Sequence, residues 1–240
     1  MEASLNELAL VYTKEWINQK LQNQVDFIVG LQKHRKQHHA YLEDKVLRIG
    51  GLQHSIQQLQ ATHIDEVAEQ IRGLEGTAGR LYFETISFVL SKNYQIKGRS
   101  YRPAKDAFNA FLNYAYGVLY SRVEKSLIIA GVDPYVGFLH RDDYNYKSMV
   151  YDFIEPYRGF ADKVVFSLFA AKRVNKAHTD EITNGYRLNK EGKVLLIEAL
   201  NKYLEEDRIR YKGKNQTRAN IIQLETHQFA NRLIHKAIPV

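Results

Sequence analysis

None of the 240 residues is cysteine. Disulfides, thiolate zinc sites and a cysteine nucleophile are therefore excluded. No apolar run approaches the ~20 residues needed to span a bilayer. The opening Met1-Glu2-Ala3-Ser4 carries neither a basic region nor a signal-like core, so a cytoplasmic protein without membrane contact is expected. There is no phosphate loop of the Gly-x-x-x-x-Gly-Lys type, no dinucleotide fingerprint after a strand, no Gly-x-Ser-x-Gly elbow and no adjacent His-Asp pair. Internal repeats, low-complexity tracts and a clear domain linker are also absent, and we expect a single helical catalytic domain over 1–240.

The remaining composition is that of an ordinary globular protein, 45% apolar and 25% charged, long enough to bury a real core. The net charge is +7 and the pI near 9.3, which favours a polyanionic partner such as nucleic acid. Sixteen tyrosines offer ring faces for base stacking, although tyrosine is also a common core residue.

Hydrophobic periodicity predicts a mainly α chain. Helices are expected over about 5–36, 41–60, 63–91, 103–130, 148–173, 190–206 and 216–234. Thr62 is a candidate N-cap for the third, Pro103 suits the first turn of the fourth, and Gly131 ends it. Ser148 is a candidate N-cap for the fifth, in which Pro156 should kink or open the helix. Ile182-Thr183-Asn184-Gly185-Tyr186-Arg187-Leu188 signals a small β-hairpin with an Asn-Gly turn, and Asn189 can cap the helix that follows. Residues 208–214 read as a basic linker. The stretch 33–39 places His34 and His38 four apart, but with no carboxylate or cysteine nearby it reads as a solvated basic face.

The third helix holds the most informative stretch, Arg72-Gly73-Leu74-Glu75-Gly76-Thr77-Ala78-Gly79-Arg80-Leu81-Tyr82-Phe83. Val67, Ile71, Leu74, Ala78 and Leu81 form its buried stripe, and Arg72, Glu75, Gly79 and Tyr82 fall on the adjoining face. Gly73, Gly76 and Gly79 each cost about 1 kcal/mol against alanine in a helix. Either a neighbouring helix packs tightly there or a ligand approaches the backbone closely. Glu75, His140, Asp152 and Glu155 are the candidate site residues, with Asp152 and Glu155 three apart on one helix face. Carboxylates with imidazole suit Mg²⁺ or Mn²⁺ carrying waters and a substrate phosphate, and basic loops would hold the phosphate backbone. The alternatives are structural: Glu75 paired with Arg72 or Arg80, a satisfied loop histidine at 140, and Asp152 and Glu155 as surface charges paired with Arg158.

Four segments resemble, in order, the motifs of the CRISPR-associated integrase family of spacer acquisition ("Cas one"). They are Gly73 to Phe83, then Arg99-Ser100-Tyr101-Arg102-Pro103-Ala104-Lys105 with the helix after it, then Gly131 to His140 ending in Gly137-Phe138-Leu139-His140, and lastly Tyr151-Asp152-Phe153-Ile154-Glu155-Pro156-Tyr157-Arg158. The match covers about 71–162 closely. The resemblance implies that Glu75, His140 and Glu155 are ligands of Mg²⁺ or Mn²⁺, with Asp152 catalytic or supporting. Arg72, Arg80, Arg99, Arg102 and Lys105 are the expected DNA contacts. It further implies a metal-dependent DNA endonuclease and integrase of CRISPR adaptation, and so of antiviral defence. Protospacer DNA would be inserted at the CRISPR repeat by transesterification, with a "Cas two" protein as partner and homodimerisation in the full-length protein. The family places a β-rich domain before its helical lobe, so this chain is expected to be a fragment. The competing readings are a non-catalytic helical DNA-binding module, with the hairpin as a wing, and a partner-docking domain.

Overall fold

The computed structural model describes residues 2–140 and 146–235, with side chains from residue 7 onward. Arg141, Asp142 and Asp143, between the expected fourth and fifth helices, lie outside the described residues. The chain is mainly helical: α1 Glu2–Gln32, α2 His39–Gln58, α3 Ala68–Val89, α4 Ala107–Ile129, α5 Ser148–Phe153, α6 Arg158–Ala170, α7 Lys190–Asn201 and α8 Arg218–His235, with two hairpins, β1 Thr179–Ile182 with β2 Gly185–Leu188, and β3 Arg208–Tyr211 with β4 Lys214–Thr217. Among the described residues no helix is long and apolar enough to cross a membrane. The chain divides into two compact units. One comprises 1–79, 120–157 and 222–240, the other 80–119 and 158–221.

In the first unit α1 lies along α2, burying Leu21, Ile28, Leu42, Ile49 and Ile56 completely. Each such side chain contributes roughly 1.5–3 kcal/mol over its exposed state. Lys14 donates to the carbonyls of Gln57 (2.9 Å) and Leu59 (3.0 Å), satisfying the open end of α2. A cluster of aromatic rings ties four segments together: Trp16 stacks on Phe138 at 5.8 Å and meets Phe153 and Phe229 edge-on, both at 5.3 Å. These contacts fix the loop before residue 140, α5 and α8 against α1.

In the second unit Phe108, Phe111 and Phe169 form a buried edge-to-face set. Asp162, only 2% exposed, accepts a hydrogen bond from Tyr116 at 2.5 Å. Burial first, and the Asp162 charge second, push the Tyr116 phenol well above its ordinary range, which keeps it a donor. The β1–β2 register pairs Ile182 with Gly185, so the connection is Thr183-Asn184 with Asn184 at φ +64°. The expected Asn-Gly turn is thus shifted by one residue. Gly185 serves a different purpose: a Cβ there would lie 2.3 Å from the Ala104 carbonyl, which accepts from the Tyr186 N–H at 2.8 Å.

Four further expectations need correction. Pro103 precedes the fourth helix rather than opening it; Asp106 caps α4, accepting from the Asn109 N–H at 2.7 Å. Ser148 begins α5 without a side-chain cap. Thr62 donates to Glu66 (2.8 Å) instead of capping, and the capping box is built by His63 with Glu66. The basic linker is the β3–β4 hairpin, because Lys212 and Gly213 adopt φ of +45° and +80° between two alternating runs. Three other readings hold. Asn189 caps α7, accepting from the Gly192 N–H; Gly131, at φ +76°, ends α4; and Pro156 opens its helix into a 3₁₀ turn, Glu155–Tyr157, between α5 and α6.

Among the described residues, a Cβ at Gly73, Gly76 or Gly79 of α3 would meet nothing within 4 Å, whereas one at Gly192 would lie 2.1 Å from the His178 carbonyl. Gly76→Ala should therefore stabilise the protein by about 1 kcal/mol through helix propensity, and Gly192→Ala should destabilise it by about 1–3 kcal/mol through overpacking. Urea midpoints of the two variants check both signs, and a destabilised Gly76→Ala would contradict the open face.

Candidate metal centre

The site lies within the first unit, and its local structure starts at the end of α4. Gly131 donates to Ile128 (3.0 Å) and Val132 to Leu127 (2.9 Å), a Schellman closure that turns the chain out of the helix. Asp133 then accepts from the Tyr135 N–H at 2.9 Å, and Pro134 accepts from the Met149 N–H at 3.1 Å, holding the loop against the start of α5. Gly137 is required there, since a Cβ would sit 2.5 Å from the Ser148 Cβ and 2.9 Å from Asp152 Oδ2.

That close approach lets the buried Asp152 carboxylate organise the loop. Its Oδ2 accepts from the N–H groups of Phe138 (2.5 Å) and Leu139 (3.0 Å), and its Oδ1 pairs with His140 Nδ1 at 2.6 Å. The imidazole is thereby fixed in orientation through Nδ1, with Nε2 left over among the described residues, the arrangement in which a carboxylate supports a ligating histidine. Burial pushes the His140 pKa down, but the hydrogen bond and charge of Asp152, with the charges of Glu155 and Glu75, more than offset it. The net shift is upward from the ordinary 6.5.

Glu75 on α3 and Glu155 on the 3₁₀ turn come together through a residue that the sequence reading passed over. Lys20 of α1 forms an ion pair with Glu75 and another with Glu155 Oε2, the latter at 2.6 Å. Their side chains are 14%, 19% and 4% exposed for Lys20, Glu75 and Glu155. Three residues further along α1, Asn23 donates to the Pro156 carbonyl at 2.7 Å and ties α1 to that turn. The signal for Lys20 was available: Thr13, Trp16 and Lys20 follow steps of three and four, which places a lysine on the inward face of a helix. The structural alternatives weighed above do not describe these carboxylates. Glu75 pairs with Lys20, and Asp152 and Glu155 are both buried, at 3% exposure.

The residues expected to contact DNA are distributed between the units. Arg72 is exposed in the first unit and donates to the Leu139 carbonyl at 3.4 Å, beside the His140 loop. Arg80, Arg99, Arg102 and Lys105 belong to the second unit. Arg99 is held by Asn109 and by Asn113 (2.8 Å), so it organises its own loop. Arg102 lies over Tyr101, and Lys105 donates to the Asn184 carbonyl at 3.0 Å.

No three His, Asp or Glu groups converge as a metal cluster among the described residues. The donor set nevertheless fits a hard divalent cation. Two shielded carboxylates already share one cationic centre, the Lys20 ammonium, and an Asp-supported imidazole stands in their field. A cavity of about 10 Å³, with Thr13, Trp16, His140 and Glu155 on its wall, has room for one water. The Thr13 hydroxyl has no hydrogen-bond partner among the described residues.

Because the folded pKa of His140 is raised, its contribution to stability is full below the unfolded value near 6.5 and is lost as pH rises through the folded value. In EDTA, the urea midpoint of the wild type should fall relative to His140→Gln as pH rises above about 6.5. Parallel profiles for the two proteins would contradict the His140–Asp152 pairing.

The profile of the family described as CRISPR associated protein Cas1 matches residues 1–202. A CRISPR-associated endonuclease Cas1 of Archaeoglobus fulgidus is 32% identical over 222 residues, covering 88% of this chain and 64% of that protein. One of Thermodesulfovibrio yellowstonii is 29% identical over 217 residues, covering 90% and 67%. The chain spans about two thirds of the length of these relatives. Among solved structures, a casposase bound to integration product superposes with a TM-score of 0.81 at 23% identity, over 99% of this chain and 66% of that one. A CAS1 protein from Thermotoga maritima gives 0.76 at 23% identity, over 96% and 67%. At these identities the structural likeness speaks for the fold, a helical lobe shared by all three. Profile, relatives and fold agree with the four ordered motifs, and the chain belongs to the Cas1 family of CRISPR-associated proteins.

Proposed function

We propose that this chain is the catalytic lobe of a metal-dependent DNA endonuclease and integrase that inserts short foreign DNA into a CRISPR array during adaptation, an antiviral function exercised in the cytoplasm. The observation that carries the reading is the meeting of Glu75 and Glu155 around one cationic centre, in the field of a histidine held by Asp152. Glu75, Glu155 and His140 Nε2 would hold Mg²⁺ or Mn²⁺. Such an ion supplies Lewis acidity to a phosphoryl oxygen and to an attacking hydroxyl.

The reaction is an exchange of phosphodiesters. The 3′ oxygen of the incoming strand forms a bond to phosphorus, the bond to the repeat strand's 3′ oxygen breaks, and the hydroxyl proton ends on that released oxygen. No other reactant is required. Asp152 orients the His140 ring and takes no part in ligation in this scheme, because its two oxygens are committed to the loop and to Nδ1. The glycine face of α3 beside Glu75, where an added Cβ would meet nothing within 4 Å among the described residues, is open to a ligand. Arg72, Arg80, Arg99, Arg102 and Lys105 would supply charge along protospacer and repeat DNA.

A Cas2 protein is the proposed partner, since solved chains of this fold include a Cas6-RT-Cas1–Cas2 complex, with a TM-score of 0.82 at 20% identity over 96% of this chain and 24% of that one. Homodimerisation is proposed as well.

Strand transfer on a branched DNA substrate tests the reading. Product is expected with Mn²⁺ and not with EDTA, and Glu75→Ala or His140→Ala should lower the rate at least ~100-fold, the scale of losing an electrostatic catalytic group. DNA binding that is insensitive to both substitutions, with no metal-dependent product even when a β-rich domain of a relative is fused in front, would instead favour a binding module.

A further inference from the structure

Lys20 occupies the position between the two carboxylates that a divalent cation would take. We propose that Lys20 is a built-in competitor for that cation: its ammonium holds Glu75 and Glu155 together in the metal-free protein and must withdraw before both can ligate. The inference rests on the metal-site reading above.

Two shielded carboxylates so close repel each other unless a positive charge lies between them. The Lys20 ammonium provides it, reaching both Glu75 and Glu155 Oε2. A single ammonium brings one positive charge to two carboxylates, whereas a divalent cation brings two. The exchange is therefore favourable when metal is supplied, and opposed by the ion pairs it must break. The backbone cannot carry Lys20 away, because Asn23 fixes the neighbouring turn of α1 to the Pro156 carbonyl at 2.7 Å, and Trp16, one turn earlier, is packed among aromatic rings. The four-carbon stem of lysine provides the movement instead. Lys20 thus keeps the site assembled without metal and sets the metal concentration at which it fills.

Calorimetric Mn²⁺ titration of the wild type, Lys20→Met and Lys20→Arg at one pH, with melting curves in EDTA, tests this without any activity readout. Lys20→Met should melt below the wild type in EDTA and bind Mn²⁺ about tenfold more tightly. Lys20→Arg keeps the charge and forks across both carboxylates, and should bind Mn²⁺ more weakly than the wild type. Unchanged or weaker binding by folded Lys20→Met would overturn the competitor role, and so would tighter or equal binding by Lys20→Arg, which decides the matter alone if Lys20→Met does not fold. Absence of Mn²⁺ binding by the wild type and by Lys20→Met alike would overturn the metal-site reading and the competitor role with it.

Discussion

Compensation of negative charge in a shielded place is the constraint on which the rest of this site depends. Asp152, Glu155 and Glu75 are drawn into one region of the first unit, and each has its own solution. Asp152 accepts from two backbone N–H groups and pairs with an imidazole, while Glu155 and Glu75 share one ammonium. The aromatic packing around Trp16 makes this possible by fixing α1, the loop before residue 140 and α5 relative to one another within the unit. Remove the packing and the charges would no longer be held at hydrogen-bond distance, where a charge-assisted bond contributes about twice a neutral one.

The two acidic residues of the last motif illustrate how geometry divides labour. Three residues apart, they were expected on one helix face. Pro156 instead ends α5 and places Glu155 on a 3₁₀ turn, while Asp152 stays on the helix. One carboxylate faces the loop and builds the histidine's orientation. The other faces α1 and meets Lys20. A regular helix through both would have left them as neighbours competing for the same partners.

Much of the architecture was legible because hydrophobic periodicity reports burial and turn residues report breaks: the long helices follow from the first, the Gly131 stop and the first hairpin from the second. Local capping was harder to read. His63 took the role assigned to Thr62, and Asp106 caps a helix that Pro103 was expected to open, because cap choice depends on where the first turn begins, which tertiary contacts decide. The second hairpin was missed because four cations in 208–214 read as a solvated linker, while the positive φ at Lys212 is invisible in composition. At the site, Glu75, His140, Asp152 and Glu155 stood out by residue type and motif order. Lys20 and Gly137 did not: one acts across a long sequence separation, and the other is needed only because Ser148 and Asp152 approach it from another segment. Of the expected DNA contacts, Arg99 proves to be held by two asparagines of its own unit, a commitment no spacing rule reveals.

Pulsed electron paramagnetic resonance of Mn²⁺ bound to the protein, with ¹⁵N-labelled histidine, tests the central claim most directly. The account predicts one bound Mn²⁺ coupled to a single imidazole nitrogen, with the nitrogen coupling lost in His140→Ala and the ion itself lost in Glu75→Gln and Glu155→Gln. Mn²⁺ bound without any imidazole nitrogen, or retained undiminished by both glutamine variants, would contradict it.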